Sequence, residues 1–149
     1  MIMRILFVCL GNICRSPSAE GVFRTLSQKA GLDLEIDSAG TGGWYVGKAP
    51  YGPMQDAALQ WGYDLSGLRA RQFHSGDFDA FDLIIGMDGE NIADIESLRP
   101  AGNKTLVRLF TDYAPKAGAD HVPDPYYTRD FEGSLTLIEE ASLGLIATL

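Results

Sequence analysis

The chain has 149 residues, enough for one ordinary domain that buries about 70% of the surface its unfolded form exposes. Its composition, 46% hydrophobic and 21% charged, is that of a folded globular protein and excludes a disordered chain. Twenty acidic residues against twelve basic ones give a formal charge of −8, which argues against binding to nucleic-acid backbone or to anionic membranes and requires any bound anion to be captured locally. Cys9 and Cys14 are too few for a disulfide scaffold, and their spacing is not that of a usual zinc site. No apolar run approaches the about 18 residues of a membrane span. The run Ile5–Leu10 is shorter than the roughly 7–15 residues of a secretory apolar segment. These features predict a reduced, cytoplasmic protein with one domain over residues 1–149, and a monomer or weak dimer is expected.

In chain order, Arg4–Val8 is a continuous apolar run that predicts a strand buried on both faces. A loop, Cys9–Arg15, follows. Ser16 and Pro17, an N-cap residue and a first-turn proline, predict the start of a helix whose apolar stripe is Ala19, Val22, Phe23, Leu26 and Ala30 and which Gly31 ends. Leu34–Ser38 reads as a second strand, Ala39–Pro53 as a glycine-rich loop, and Met54–Trp61 as a helix stopped by Gly62. Leu83–Met87 reads as a buried strand, Asn91–Leu98 as a helix and Thr105–Leu109 as a fourth strand. Thr111–Arg129 reads as a long polar loop with three prolines, and Phe131–Leu149 as a helix carrying Leu135, Ile138, Ser142, Leu145 and Leu149 on one face. Strands alternating with helices predict an α/β three-layer sandwich, a central four-stranded parallel sheet flanked by helices. In such sheets ligands bind beyond the carboxyl ends of the strands, at a topological switch point, and the loop after the first strand is the natural place.

That loop reads Cys9-Leu-Gly-Asn-Ile-Cys-Arg-Ser16. Between a buried strand and a helix N-terminus, its unpaired N–H groups and the positive end of the helix dipole favour an anion. Gly11 and Asn12 tolerate positive φ, which lets successive N–H groups from Leu10 to Ser16 point inward. Arg15 adds a forked cationic grip. A thiol at Cys9 in this field is expected below its usual pKa of about 8.5 and so nucleophilic, with Ser16 close enough to donate a hydrogen bond. The bland alternatives are an inert core cysteine or a phosphate-binding loop without chemistry. No G-x-x-x-x-G-K followed by Ser or Thr, and no G-x-G-x-x-G, is present to indicate a nucleotide site.

Cleaving a phosphate ester needs a proton for the leaving oxygen. In His121-Val-Pro-Asp124-Pro-Tyr-Tyr127 the carboxylate of Asp124 lies between two prolines, in a stiff loop. Asp88, after a strand end, could also face the site but is read as the cap of the following helix. Trp44, Tyr126 and Tyr127 lie on loops and either pack there or line a slot for a planar group, with Ile13 as one wall. Cys14 is either a small apolar filler or a resolving thiol that forms a reversible disulfide with Cys9. His74 and His121 have no partners at ligand spacing, so neither a Ser–His–Asp arrangement nor a metal site is supported.

The sequence resembles the low-molecular-weight protein tyrosine phosphatase family. The matching segments are Phe7-Val-Cys-Leu-Gly-Asn-Ile-Cys-Arg-Ser-Pro17, Ala19-Glu-Gly-Val22, Asp37-Ser-Ala-Gly-Thr41, Ala70-Arg-Gln72, Phe81-Asp-Leu-Ile84 with Met87-Asp88, and Val122-Pro-Asp-Pro-Tyr-Tyr127, in order across essentially the whole chain. The resemblance implies phosphotyrosine-containing protein substrates and a phosphocysteine intermediate, without metal or organic cofactor. Cys9 would be the nucleophile, Arg15 the phosphate clamp and Asp124 the general acid that then activates water. It further implies that Ser16 stabilises the thiolate and that Asn12, left-handed, holds the loop open with help from Ser38. Cys14 would be a protective second thiol, and Trp44, Tyr126 and Tyr127 would wall the phosphotyrosine slot. Relatives resembling arginine phosphatases carry Thr where this chain has Ile13. At Leu68 some members have a histidine near the loop, so a supporting contact is in doubt here. An arsenate reductase would need further cysteines after residue 14. A phosphate receptor would be hindered by Asp124, and a phosphoryl-transfer partner would need neither Asp124 nor the aromatic slot.

Overall fold

A computed structural model describes residues 2–149. Four strands, β1 (Met3–Cys9), β2 (Leu34–Gly40), β3 (Leu83–Gly86) and β4 (Leu106–Leu109), form one parallel sheet in the order β2-β1-β3-β4. The helices are α1 (Arg15–Lys29), α2 (Gly52–Gln60), α3 (Asp77–Ala80), α4 (Gly89–Ser97), α5 (Pro125–Thr128) and α6 (Phe131–Ile146). The predicted four-stranded α/β sandwich is the fold found.

β1 is apolar throughout because both of its faces are covered. Ile5, Phe7 and Cys9 point into the larger core, with Val22 and Phe23 of α1, Met54 of α2 and Ile138 of α6. Leu6 and Val8 point into a smaller core with Phe78 of α3 and Ile95 of α4. Phe7 meets Phe23 edge-on at 5.4 Å between ring centroids and Phe110 at 5.2 Å, separations at which aromatic pairs attract beyond simple burial.

The chain leaves β1 toward β2 on one side and later crosses to β3 on the other, so β1 is the switch point. Cys9 pairs with Gly40, and Val8 with Gly86, at the carboxyl ends of three adjacent strands. The first loop opens at this place.

Several boundaries differ from expectation. Ala39 and Gly40 continue β2 rather than opening a loop, because Gly40 donates to the Arg71 carbonyl and accepts from Phe73, bridging to Gln72. β3 stops at Gly86, and β4 starts at Leu106. α1 begins at Arg15, before Ser16, and ends at Lys29, with Gly31 in the left-handed conformation just beyond it. Within its predicted stripe, Ala19, Val22 and Phe23 are buried while Ala30 is exposed. The stretch 111–129 is not a plain loop. A 3-10 turn at Phe110–Tyr113 carries Phe110 into the core, a second spans Pro115–Ala117, and α5 follows Asp124. α3 was not foreseen; Asp77, which begins it, is buried against Arg71. α6 ends at Ile146, leaving Leu149 exposed.

A Cβ on Gly40 would lie 2.9 Å from the Leu10 carbonyl oxygen and 3.0 Å from the Gly11 carbonyl carbon. Both are backbone atoms that cannot rotate away. Gly40→Ala is therefore expected to destabilise the protein by about 1–3 kcal/mol, the usual range for overpacking, as read by urea unfolding.

Candidate active site

The first loop is turned by Asn12, which sits at φ 55°, the left-handed region. An asparagine tolerates this better than most residues but still needs support. Its Nδ2 donates to Ser16 Oγ at 2.7 Å and to Ser38 Oγ at 3.0 Å, and its Oδ1 accepts from the Arg71 N–H at 3.0 Å. The Ser38 hydroxyl in turn donates a hydrogen bond to Glu20 at 2.7 Å, and Glu20 also pairs with Arg24 at 2.6 Å. Burial pushes the Glu20 carboxyl above its ordinary value, while the bonds from Ser38 and Arg24 act against that. Leu68 is partly buried against the larger core and gives the loop no polar contact.

Asn12 sets the direction of every peptide around it. The carbonyls of Cys9, Leu10, Ile13 and Cys14 point away from the loop's centre and accept from Thr41, Gly42, Tyr51 and Ser18 at 2.8–3.3 Å. Among the described residues, no protein acceptor meets the N–H groups of Gly11, Ile13, Cys14 or Arg15. The Asn12 N–H lies 3.2 Å from Cys9 Sγ. α1 has neither a side-chain cap nor an acidic residue in its first turn, so its positive end is left for a ligand.

Ser16 does not cap α1. It is the second residue of the helix, and its hydroxyl lies 3.1 Å from Cys9 Sγ. Facing a thiolate, Ser16 is necessarily the donor. Cys9 closes β1 rather than opening the loop. It is 3% exposed, yet it forms part of the lining of an open cavity of about 190 Å³.

That cavity brings together Leu10, Gly11, Ile13 and Cys14 from the first loop, Trp44 and Tyr45 from the second, and Asp124, Tyr126 and Tyr127 from the end of the long segment. Trp44 and Tyr127 are 71% and 72% exposed, so they stand at the rim as flaps of apolar surface. Tyr126 packs on Tyr51 at 5.1 Å and on Tyr127 at 5.2 Å. Tyr45, which the sequence reading passed over, lies against the loop; a Cβ on Gly11 would sit 3.1 Å from its ring.

Arg15 is 3% exposed. Its Nη1 donates to Asp88 Oδ2 at 2.7 Å and to the Val122 carbonyl at 3.0 Å, and its Nη2 lies 3.5 Å from Asp124 Oδ2. Burial opposes its charge, but Cys9, Asp88 and Asp124 outweigh it, so the guanidinium is held more firmly protonated than usual. Its Nε is buried without a partner, a donor that an oxyanion would satisfy. Asp88 does two jobs: Oδ1 caps α4 through the Asn91 N–H at 2.7 Å while Oδ2 holds Arg15. The sequence reading foresaw the cap and left the second role open; its position just past a strand end was the available signal. Asp124 Oδ1 accepts from the Tyr126 N–H at 3.1 Å and caps α5, which fixes the carboxylate at the cavity wall.

Two measurements test this arrangement. Asn12→Ala removes three buried side-chain bonds and the residue suited to positive φ. It is expected to lower turnover roughly 10- to 100-fold, one or two conversions of the 1–3 kcal/mol lost per unsatisfied buried group, with a native circular dichroism spectrum. Burial, with Asp124 and Cys9 close by, pushes the Cys14 thiol far up, so iodoacetamide at neutral pH is expected to alkylate Cys9 and spare Cys14, as read by peptide mass spectrometry.

Over residues 4–149 the chain matches the family described as low molecular weight phosphotyrosine protein phosphatase. It is 43% identical over 147 residues to the low molecular weight protein-tyrosine-phosphatase YfkJ of Bacillus subtilis, covering 97% of this chain and 94% of that one. The crystal structure of YfkJ is similar with a TM-score of 0.94 at 42% identity, over 99% and 94% of the two chains. A low molecular weight phosphotyrosine protein phosphatase of Schizosaccharomyces pombe is 44% identical over 128 residues, 84% of this chain and 81% of the relative. The drosophila arginine phosphatase DARP shares the fold with a TM-score of 0.92 at 30% identity, over 98% and 97% of the chains. By sequence along nearly its full length and by fold, the chain belongs to the low molecular weight phosphotyrosine protein phosphatase family.

Proposed function

We propose that this chain, as a single phosphatase domain over residues 1–149, hydrolyses phosphotyrosine in proteins, and small aryl phosphates, through a phosphocysteine at Cys9. The observation that carries the reading is the loop's polarity: carbonyls turned out, unpaired N–H groups turned in, around a sulfur that already accepts from Asn12. Such a ring suits the three equatorial oxygens of a transferring phosphoryl group.

Cys9 Sγ attacks phosphorus in line, the S–P bond forming as the bond to the aryl oxygen breaks. Asp124 gives its proton to that oxygen, which leaves as a neutral phenol. The N–H groups of Leu10 to Ser16, apart from that of Asn12, which faces the sulfur, and the Arg15 guanidinium hold the charge on the equatorial oxygens, with the unpartnered Nε supporting Arg15 as the clamp. In the second step Asp124, now a carboxylate, takes a proton from water as that water attacks phosphorus; thiolate and inorganic phosphate are released. Ser16 and Asn12 donate to the sulfur and stabilise it as the leaving anion. No metal or organic cofactor enters either step.

Since an arginine phosphatase shares the fold, the architecture does not select the substrate. Ile13, with Trp44, Tyr126 and Tyr127, supports a slot for a flat aromatic ring. Asp124 supports turnover over mere phosphate binding, which a nearby carboxylate would oppose. Cys14, lining the same cavity as Cys9, supports a protective disulfide between them after mild oxidation, in keeping with a cytoplasmic, redox-sensitive enzyme.

Turnover of para-nitrophenyl phosphate tests the chemistry. Cys9→Ser is expected to lose it while still binding inorganic phosphate, and ³²P from a labelled substrate is expected on wild type and not on Cys9→Ala. Asp124→Ala is expected to fall about 10²–10⁴-fold, the span of general acid catalysis, and further for a poorer leaving group. Full activity in Cys9→Ser would end the mechanism. Peroxide inactivation is expected to reverse with dithiothreitol in wild type and to become irreversible in Cys14→Ser.

A further inference from the structure

The cleft continues past the aromatic slot. Leu10, Asp124 and Tyr127 also line a second cavity, about 190 Å³, whose far wall is α4, with Glu90 and Asp94. Leu10 and Trp44 lead on to a third hollow of about 280 Å³ along the same helix, reaching Asp94 again and the exposed Leu98. Three hollows that share walls thus lie side by side, from the Cys9 cavity along α4, and together form a trough.

The trough is electrically two-ended. At its inner end lies Arg15, nine-tenths and more buried, part of which reaches the wall of the second cavity. Asp88 and Asp124, the acids nearest it, are taken up by Arg15 itself. At its outer end Glu90 and Asp94 are exposed on the first turns of α4, and among the described residues no cation lies within ion-pair distance of either carboxylate. Glu96 on the same helix, by contrast, is paired with Arg99 at 2.8 Å. A ligand that matches both ends carries its anion in the Cys9 loop and a cation toward Glu90 and Asp94.

We propose that the trough seats the substrate residues flanking the phosphotyrosine, and that this enzyme selects segments with a lysine or arginine within three residues of it, the charged end lying between Glu90 and Asp94. The inference rests on the phosphatase reading of the Cys9 cavity. Its physical basis is charge complementarity: a doubly charged phosphotyrosine approaches a chain of net charge −8, so an acidic flank adds repulsion and a basic flank removes it. The stem of a lysine or arginine can lie on Leu10 and Trp44 while its head stays in water. A rim pair of this kind acts on capture and thus on kcat/KM, with little effect on kcat.

The test uses the whole chain and a set of phosphotyrosine peptides in which each position from three before to three after carries either arginine or glutamate. At low ionic strength wild type is expected to prefer arginine by about three- to tenfold in kcat/KM at one or more positions, the scale of one or two exposed ion pairs, and to lose that preference near about 0.5 M salt. The Glu90→Gln, Asp94→Asn double variant is expected to bring the ratio close to one, and the Glu90→Lys, Asp94→Lys variant to favour glutamate. The ratio is taken within each variant, so changes in overall activity cancel. No arginine preference in wild type, or a preference that the double variant keeps, overturns the proposal. Para-nitrophenyl phosphate, which has no flank, separates the two readings: its turnover by wild type with no arginine preference fails the trough alone, and no turnover at all fails the phosphatase reading beneath it.

Discussion

A single left-handed residue governs this molecule. Asn12 at φ 55° lies midway between the end of β1 at Cys9 and the start of α1 at Arg15, in a loop whose carbonyls face outward and whose N–H groups face inward. Left-handed backbone at a non-glycine residue carries a cost of about 1–3 kcal/mol unless the side chain compensates, and here the compensation is complete. Both protons of the amide are used on Ser16 and Ser38, and its oxygen is used on Arg71. Glycine could take the same φ, but it would leave both serines and the Arg71 N–H without that partner.

The support behind Asn12 is layered outward through polar groups whose own charges are matched. Ser38 leans on the buried Glu20, which Arg24 partly neutralises from the surface. Arg71, whose N–H holds Asn12, has its guanidinium fixed by Asp37 at 3.0 Å and Asp77 at 3.1 Å. Gly40 admits the loop's backbone at a separation no Cβ allows. Three separate stretches of chain, α1, β2 and the segment at Arg71, thus converge on one asparagine. The sheet's role is to bring those stretches together.

Arg15 shows the complementary problem. Placing a guanidinium in a buried site is unfavourable unless its donors are met, and in this chain they are met unevenly. Nη1 and Nη2 face Asp88, Asp124 and the Val122 carbonyl, and Nε faces nothing. The cation is held in place by acids that also cap helices, so its position is inherited from α4 and α5.

Much of this was written into local sequence. The buried strand Ile5–Val8, the Cys9–Arg15 loop with its Gly11 and Asn12, the break before α1 and the paired prolines around Asp124 are short-range features, legible because backbone preference and apolar periodicity act over a few residues. The resemblance, carried by motifs at Cys9–Ser16 and Val122–Tyr127, extended that reading to the far side of the cleft. What the sequence could not decide lies in contacts between residues far apart in the chain. Ser16 read as a helix cap because its type and place before Pro17 favour one, yet its hydroxyl lies against Cys9 Sγ at 3.1 Å. Asp88 read as a cap and also grips Arg15, 73 residues away. Tyr45, the Arg71 N–H and the trough beside Glu90 and Asp94 carry no local signature at all. Each exists only because a parallel sheet, ordered β2-β1-β3-β4, sets the carboxyl ends of its strands side by side, and only that assembly determines which polar groups share a bond.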